Sequence, residues 1–105
     1  MAIKVISDHA ALGQGLTLTV PKGPMNTQNT LYRAFISTTA SLAGAEITIT
    51  GLQDETVLVK AAALDAPLDF GTIGVPSETD TDIVLTIPGL AGVSIAAFLV
   101  ADIAQ

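Results

Sequence analysis

Within short stretches of this chain, apolar residues fall at every second position, and Gly, Pro, Asn or Asp separates one stretch from the next. Leu16-Thr17-Leu18-Thr19-Val20 is the clearest case, and Glu46-Ile47-Thr48-Ile49-Thr50 repeats it. A period of two matches the pleat of a β-strand, which sends Leu16, Leu18 and Val20 to one face and the threonines to the other. Pro21-Lys22-Gly23-Pro24 stops the first stretch, because proline cannot donate to a ladder, and Gly51 breaks the second. The same reading places further strands at 2–6, 31–38, 56–61, 68–72, 82–87 and 93–103, with 46–50 and 56–61 forming a hairpin around Gln53-Asp54-Glu55. Segment 31–38 is mixed. It has the β-branched and aromatic content of a strand, yet Leu31, Phe35 and Leu42 are spaced almost as on a helix, and a helical turn is expected at 39–44. About eight short strands at such intervals predict an all-β fold, an antiparallel two-sheet sandwich. A jelly roll is preferred to an immunoglobulin-like arrangement, whose marker Cys and Trp this chain lacks.

At 105 residues the chain fits one domain over 1–105, with residues 1–15 read as an N-terminal arm. A domain of this size buries roughly two-thirds of the surface its unfolded chain exposes, so it needs no covalent staples. Without cysteine there are no disulfides, thiolate metal sites or cysteine nucleophiles. Residues 1–60 balance Lys4, Lys22, Arg33 and Lys60 against Asp8, Glu46, Asp54 and Glu55, whereas residues 61–105 hold the whole net charge of −6. Nucleic-acid partners and anionic membrane surfaces are therefore not expected, since both call for clustered Lys and Arg. Ile83 to Ala101 is uncharged and long enough for a spanning helix, but Pro88-Gly89 and Gly92 interrupt it and no basic anchor flanks it. Met1 to Ile6 reaches Asp8 too soon for a signal peptide, and synthesis in the cytoplasm is expected.

No motif assembles a reaction centre. Glu78-Thr79-Asp80-Thr81-Asp82 alternates carboxylates, as Ca²⁺ loops do, but Ile83 stands where an EF-hand needs glycine and Gly89 where it needs glutamate. A solvated acidic loop is the simpler reading, and no metal site is assigned. Ser7-Asp8-His9 contains the residue types of a hydrolytic triad. At period two, however, Ser7 and His9 point away from Asp8, and a strand-end turn is expected there. Carboxylate pairs such as Asp65 with Asp69, or Asp54 with Glu55, lack the aromatics that line sugar subsites. Gly13-Gln14-Gly15 lacks the third glycine and the following helix of a phosphate loop. The expectation is a protein that is not an enzyme, with no catalytic residue and no cofactor.

The segment 93–103 is apolar on both faces. Val93, Ile95, Ala97, Leu99, Ala101 and Ile103 alternate with Ser94, Ala96, Phe98, Val100 and Asp102. A sandwich strand open to water on one side should be polar there, so cover is expected on both sides. In a monomer a loop would supply it, and in an oligomer a second subunit, the preferred reading, with Phe98 and Val100 at the subunit interface. Arg33, beside Tyr32, is a candidate partner anchor, because both residue types are enriched in interface hot spots, although a solvent-side strand position is the simpler reading.

A small cysteine-free domain rich in Ala, Thr and β-branched residues, opening on the strand-like Ala2-Ile3-Lys4-Val5-Ile6, resembles the small all-β virion proteins of tailed bacteriophages, in particular capsid decoration or cement proteins. That resemblance implies a homo-oligomer, a trimer in preference. It would bind the major capsid protein on the outside of the head and stabilise capsomer contacts, with the virion surface as its location. Ile3, Lys4, Ile6 and Arg33 are then the expected docking residues. The alternative is a receptor- or glycan-binding module of a fibre or adhesin, using loops 25–30 and 76–81.

Overall fold

A computed structural model describes residues 2–40, 46–53, 55–60, 65–69 and 74–104. All regular structure among them is β: β1 (Ala2–His9), β2 (Leu16–Val20), β3 (Thr30–Thr38), β4 (Glu46–Leu52), β5 (Glu55–Lys60), β6 (Asp65–Asp69), β7 (Val75–Pro76), β8 (Ile83–Ile87) and β9 (Ile95–Ile103). They form two antiparallel sheets. The first runs β1-β9-β3-β6, with the short β7 also on β3, and the second runs β2-β8-β4-β5. The pairing is nested: β4 pairs β5, β3 pairs β6, β2 pairs β8 and β1 pairs β9. The chain therefore behaves as one long antiparallel ribbon doubled over at the β4–β5 hairpin and rolled into two layers.

The alternating residues face each other between the layers. Leu16, Leu18 and Val20 of β2, Ile47 and Ile49 of β4, and Ile83, Leu85 and Ile87 of β8 are buried from one sheet. From the other come Leu31, Ala34 and Ile36 of β3 and Ile95, Ala97, Leu99 and Ala101 of β9. The threonines of β2 are exposed, as the pleat requires. Each full Leu or Ile burial stabilises by about 1.5–3 kcal/mol, so this continuous layer supplies the main driving force for the fold.

The mixed signal of segment 31–38 has a structural cause. The register of β3 against β9 shifts between Leu31 and Arg33. This bulge at Tyr32 lets Leu31 and Ala34 both point into the core while Arg33 turns outward. A strict period of two would have put Leu31 and Arg33 on one side. The helical turn expected at 39–44 falls largely outside the described residues, and the strand expected at 68–72 does so in part, the described strand being Asp65–Asp69.

Other features differ from the sequence reading, among them Glu55, which opens β5 in place of closing a turn, and Val75–Pro76, which pairs as a strand. β4 does not end at Gly51 but continues to Leu52, with a register shift against β5 between Ile49 and Leu52 and Gly51 at a φ of +90°. Ser7, Asp8 and His9 belong to β1 and make no turn, so the segment read as an arm is laddered onto β9 from Ala2 to His9. The uncharged run from Ile83 to Ala101 is divided between β8 and β9, which lie in different sheets. Among the described residues no helix is long and apolar enough to cross a membrane.

Candidate functional site

The outward side of the first sheet is built from β1, β9 and β3. On β1 the register sets Ile3, Val5 and Ser7 opposite Asp102, Val100 and Phe98 of β9. On the other flank Arg33, Phe35 and Ser37 of β3 stand opposite Val100, Phe98 and Ala96. Residues directly opposite on adjacent strands share a face. The outer face is thus an apolar band of Ile3, Val5, Val100, Phe98 and Phe35, edged by Arg33, Ser7, Ser37 and Asp102. Ile3 is 54% exposed and Val5 62%. Phe35, Phe98 and Val100 are half-buried.

Phe35 and Phe98 are register partners, and their ring centroids lie 5.4 Å apart at 31°. Such a cross-strand ring pair stabilises by about 0.5–1.5 kcal/mol beyond its burial and fixes both rings in place. A groove of about 590 Å³ runs beside it, lined chiefly by Val5, Ser7, Phe35, Ser37, Ala96 and Phe98. His9 and Ser37 continue this floor into a smaller depression toward Thr39 and Ser94.

Of the residues that the sequence singles out, Ile3, Arg33, Phe98 and Val100 come together on this face, although the sequence reading divides docking and subunit contact between separate surfaces. Lys4 and Ile6 lie on the reverse side of β1, where Ile6 is half-buried against the core and Lys4 is exposed. Val5 and Phe35 belong to the band without being among those candidates. Alternation along β1 places Val5 beside Ile3, so its membership is readable from sequence. For Phe35 no local signal exists, because its side is set by the bulge at Tyr32 and its neighbour by pairing with a strand some sixty residues away.

At the edge of this face Ser7 and His9 point outward and Asp8 to the reverse, and the Asp8 carboxylate accepts the backbone N–H of His9 at 2.8 Å. Asp8 therefore caps a main-chain amide and does not orient the imidazole. The acidic run is likewise occupied with backbone. Asp80 Oδ1 accepts the N–H of Asn26 and Asp82 Oδ1 that of Lys22, each at 2.7 Å. These two bonds tie loop 21–27 to loop 78–82. Among the described residues no group of three or more His, Asp or Glu side chains is placed to hold a metal ion.

A buried polar hub that the sequence does not reveal fastens the same end of the sandwich. Asn29 is 1% exposed, donates from Nδ2 to the Pro21 carbonyl at 2.8 Å and accepts the Ala104 N–H at 2.9 Å. Its backbone exchanges bonds with Ser77, also 1% exposed, whose Oγ accepts the Asn29 N–H at 3.0 Å and whose N–H donates to the Asn29 carbonyl at 2.7 Å. Comparison with family models, curated proteins and solved structures returned no match.

Proposed function

We propose that the chain is a structural protein that acts by surface contact, a capsid decoration protein whose outer β1-β9-β3 face lies on the shell of a phage head. The observation that carries this reading is the apolar band of Ile3, Val5, Phe35, Phe98 and Val100 on a sheet side turned to solvent. Soluble domains seldom leave contiguous apolar surface open unless a partner covers it. A rigid sheet with its rings locked by Phe35–Phe98 contact loses little entropy on docking. Arg33 at the border of the band supplies an orienting charge. In this reading the partner is the major capsid protein, the location is the virion surface, self-association accompanies attachment, and no chemical step is involved.

The finer fold assignment belongs to the same proposal. The nested pairing of β1 with β9, β2 with β8, β3 with β6 and β4 with β5 supports a jelly roll, an architecture used by viral capsid and lectin domains. Because that architecture also serves lectins, it does not separate the two readings by itself. The apolar character of the face favours shell contact over the alternative fibre or adhesin module, since sugar recognition draws on exposed aromatics and Phe35 and Phe98 stack on each other.

The test is attachment. Purified protein is mixed with phage heads that lack it, and the pelleted shells are assayed for bound copies. The wild type should co-sediment at a fixed ratio to the major shell protein. The double variant Ile3→Glu/Val5→Glu, which changes two exposed positions, should stay in the supernatant while keeping its far-UV circular dichroism. Equal pelleting of the two proteins, or failure of the wild type to bind, overturns the reading.

A further inference from the structure

We propose that the free edge of β1 pairs antiparallel with β1 of a second copy, about a two-fold axis at Ile6 that sets Lys4 of each chain against Asp8 of the other. β1 ends the first sheet, with β9 as its one ladder partner among the described residues. Natural sheets blunt such edges with proline, bulges or shortness. Of the other described edges, β6 contains Pro67, β7 is two residues long, and β2 is five residues long and abuts Pro21, whereas the register shift between β4 and β5 lies in β4. Of the devices natural sheets use, β1 carries only charged side chains, Lys4 and Asp8. It is eight residues long, without Gly or Pro, and its register with β9 is unbroken.

The backbone parity shows which groups are open. The ladder continues past His9 with the Ala10 N–H donating to the Ile95 carbonyl at 2.9 Å. In an antiparallel pair, hydrogen-bonded and non-bonded positions alternate, so even-numbered residues of β1 turn their backbone toward β9 and odd-numbered ones away. Ile3, Val5, Ser7 and His9 therefore direct N–H and C=O to the open edge. The Asp8 carboxylate covering the His9 amide is the local sign of it.

A second copy can bond to that edge only in registers that match odd residues with odd ones. Among these, the arrangement centred on Ile6 pairs Val5 with Ser7 and Ile3 with His9, and it places Lys4 opposite Asp8 twice. Those charged pairs then occupy non-hydrogen-bonded positions, where facing side chains approach most closely. Centring on Lys4 or on Asp8 would oppose like charges. Lys4 and Asp8 are both exposed on the reverse face, and pairing would release the Asp8 carboxylate from the His9 N–H, which then donates to the Ile3 carbonyl of the second copy. The pairing would join the first sheets of two copies and leave both apolar bands on one continuous outer surface. It goes beyond the attachment reading and holds whatever that surface binds. It differs from the trimer implied by the virion resemblance.

Sedimentation velocity and light scattering at micromolar concentration test it. The wild type should have twice the mass of the 10.7 kDa chain. Lys4→Glu or Asp8→Lys alone replaces attraction by repulsion in two exposed pairs and should weaken dimerisation roughly tenfold. The combined Lys4→Glu/Asp8→Lys variant should restore it. Val5→Pro removes an edge donor that β9 does not use, and should give a monomer with unchanged far-UV circular dichroism. If Val5→Pro does not fold, the charge variants decide the matter. A wild-type monomer or trimer, a dimer indifferent to single charge reversal, or failure of the swap to restore it overturns the proposal. Because Lys4 and Asp8 face away from the apolar band, shell attachment can fail while the dimer persists, and the reverse.

Discussion

Replacing Asn29 by alanine should cost far more than its place in a polar loop suggests. The substitution removes the donor to the Pro21 carbonyl and the acceptor for the Ala104 N–H, leaving the backbone bonds to Ser77 in place. Each lost bond is worth about 1 kcal/mol net, and a stranded group adds up to about 1–3 kcal/mol if water cannot reach it. Pro21 is exposed and its carbonyl can turn to solvent, while Ala104 is half-buried and its N–H is less easily rehydrated. The sum is about 2–3 kcal/mol, a large share of the 5–15 kcal/mol that typically holds a domain together. Urea unfolding followed by far-UV circular dichroism should show a lower midpoint at an unchanged slope, and Tm should fall by about 10 °C. Asn29→Asp separates bonding from size. It retains an acceptor for Ala104 but turns a carboxylate oxygen toward the Pro21 carbonyl, so it should be at least as unstable at neutral pH. Loss of less than about 0.5 kcal/mol in the alanine variant, the level of an ordinary surface change, would refute the reasoning. So would wild-type stability in Asn29→Asp.

Other substitutions probe other parts of the molecule. Leu85→Ala, at a fully buried position of β8, should lose about 2–5 kcal/mol in the same urea assay. Gly51→Ala should lose about 2 kcal/mol or more, because φ is +90° and a Cβ would collide with the Asp82 carbonyl; calorimetry should show the drop in Tm. A double-mutant cycle over Phe35→Leu and Phe98→Leu should yield a coupling energy of about 0.5–1.5 kcal/mol, and zero coupling would deny the ring pair a role. Asp82→Ala should cost about 1 kcal/mol through the Lys22 amide, measured by urea unfolding.

Much of the interior is legible in the order of the residues alone. Leu16, Leu18 and Val20 point inward as their alternation indicates, and Glu46–Leu52 pairs with Glu55–Lys60 where a hairpin is expected. Alternation fails where the backbone departs from a plain pleat. The bulge at Tyr32 moves Arg33 out of the face that Leu31 occupies, and the positive φ at Gly51 lets β4 run on where a glycine reads as a break. The acidic loop reads as free carboxylates, because nothing local discloses that Asp80 and Asp82 accept amides from more than fifty residues away.

By itself the sequence determined the class of element and its inward face, since both follow from the period of apolar residues along a few consecutive positions and the pleat converts that period directly into sidedness. It also determined what the chain lacks: cysteine chemistry and clusters of basic residues. Only the tertiary structure decided which strands meet. β1 finds β9 at the opposite end of the chain, Phe35 finds Phe98, and Asn29 gathers Pro21, Ser77 and Ala104. Many pairings of apolar strands bury similar area, and the choice among them rests on how bulges, backbone bonds and side-chain volumes fit at once across the whole ribbon. The same choice leaves β1 at an edge and sets Ile3, Val5, Phe98 and Val100 side by side on the outer face, where the proposed contacts reside.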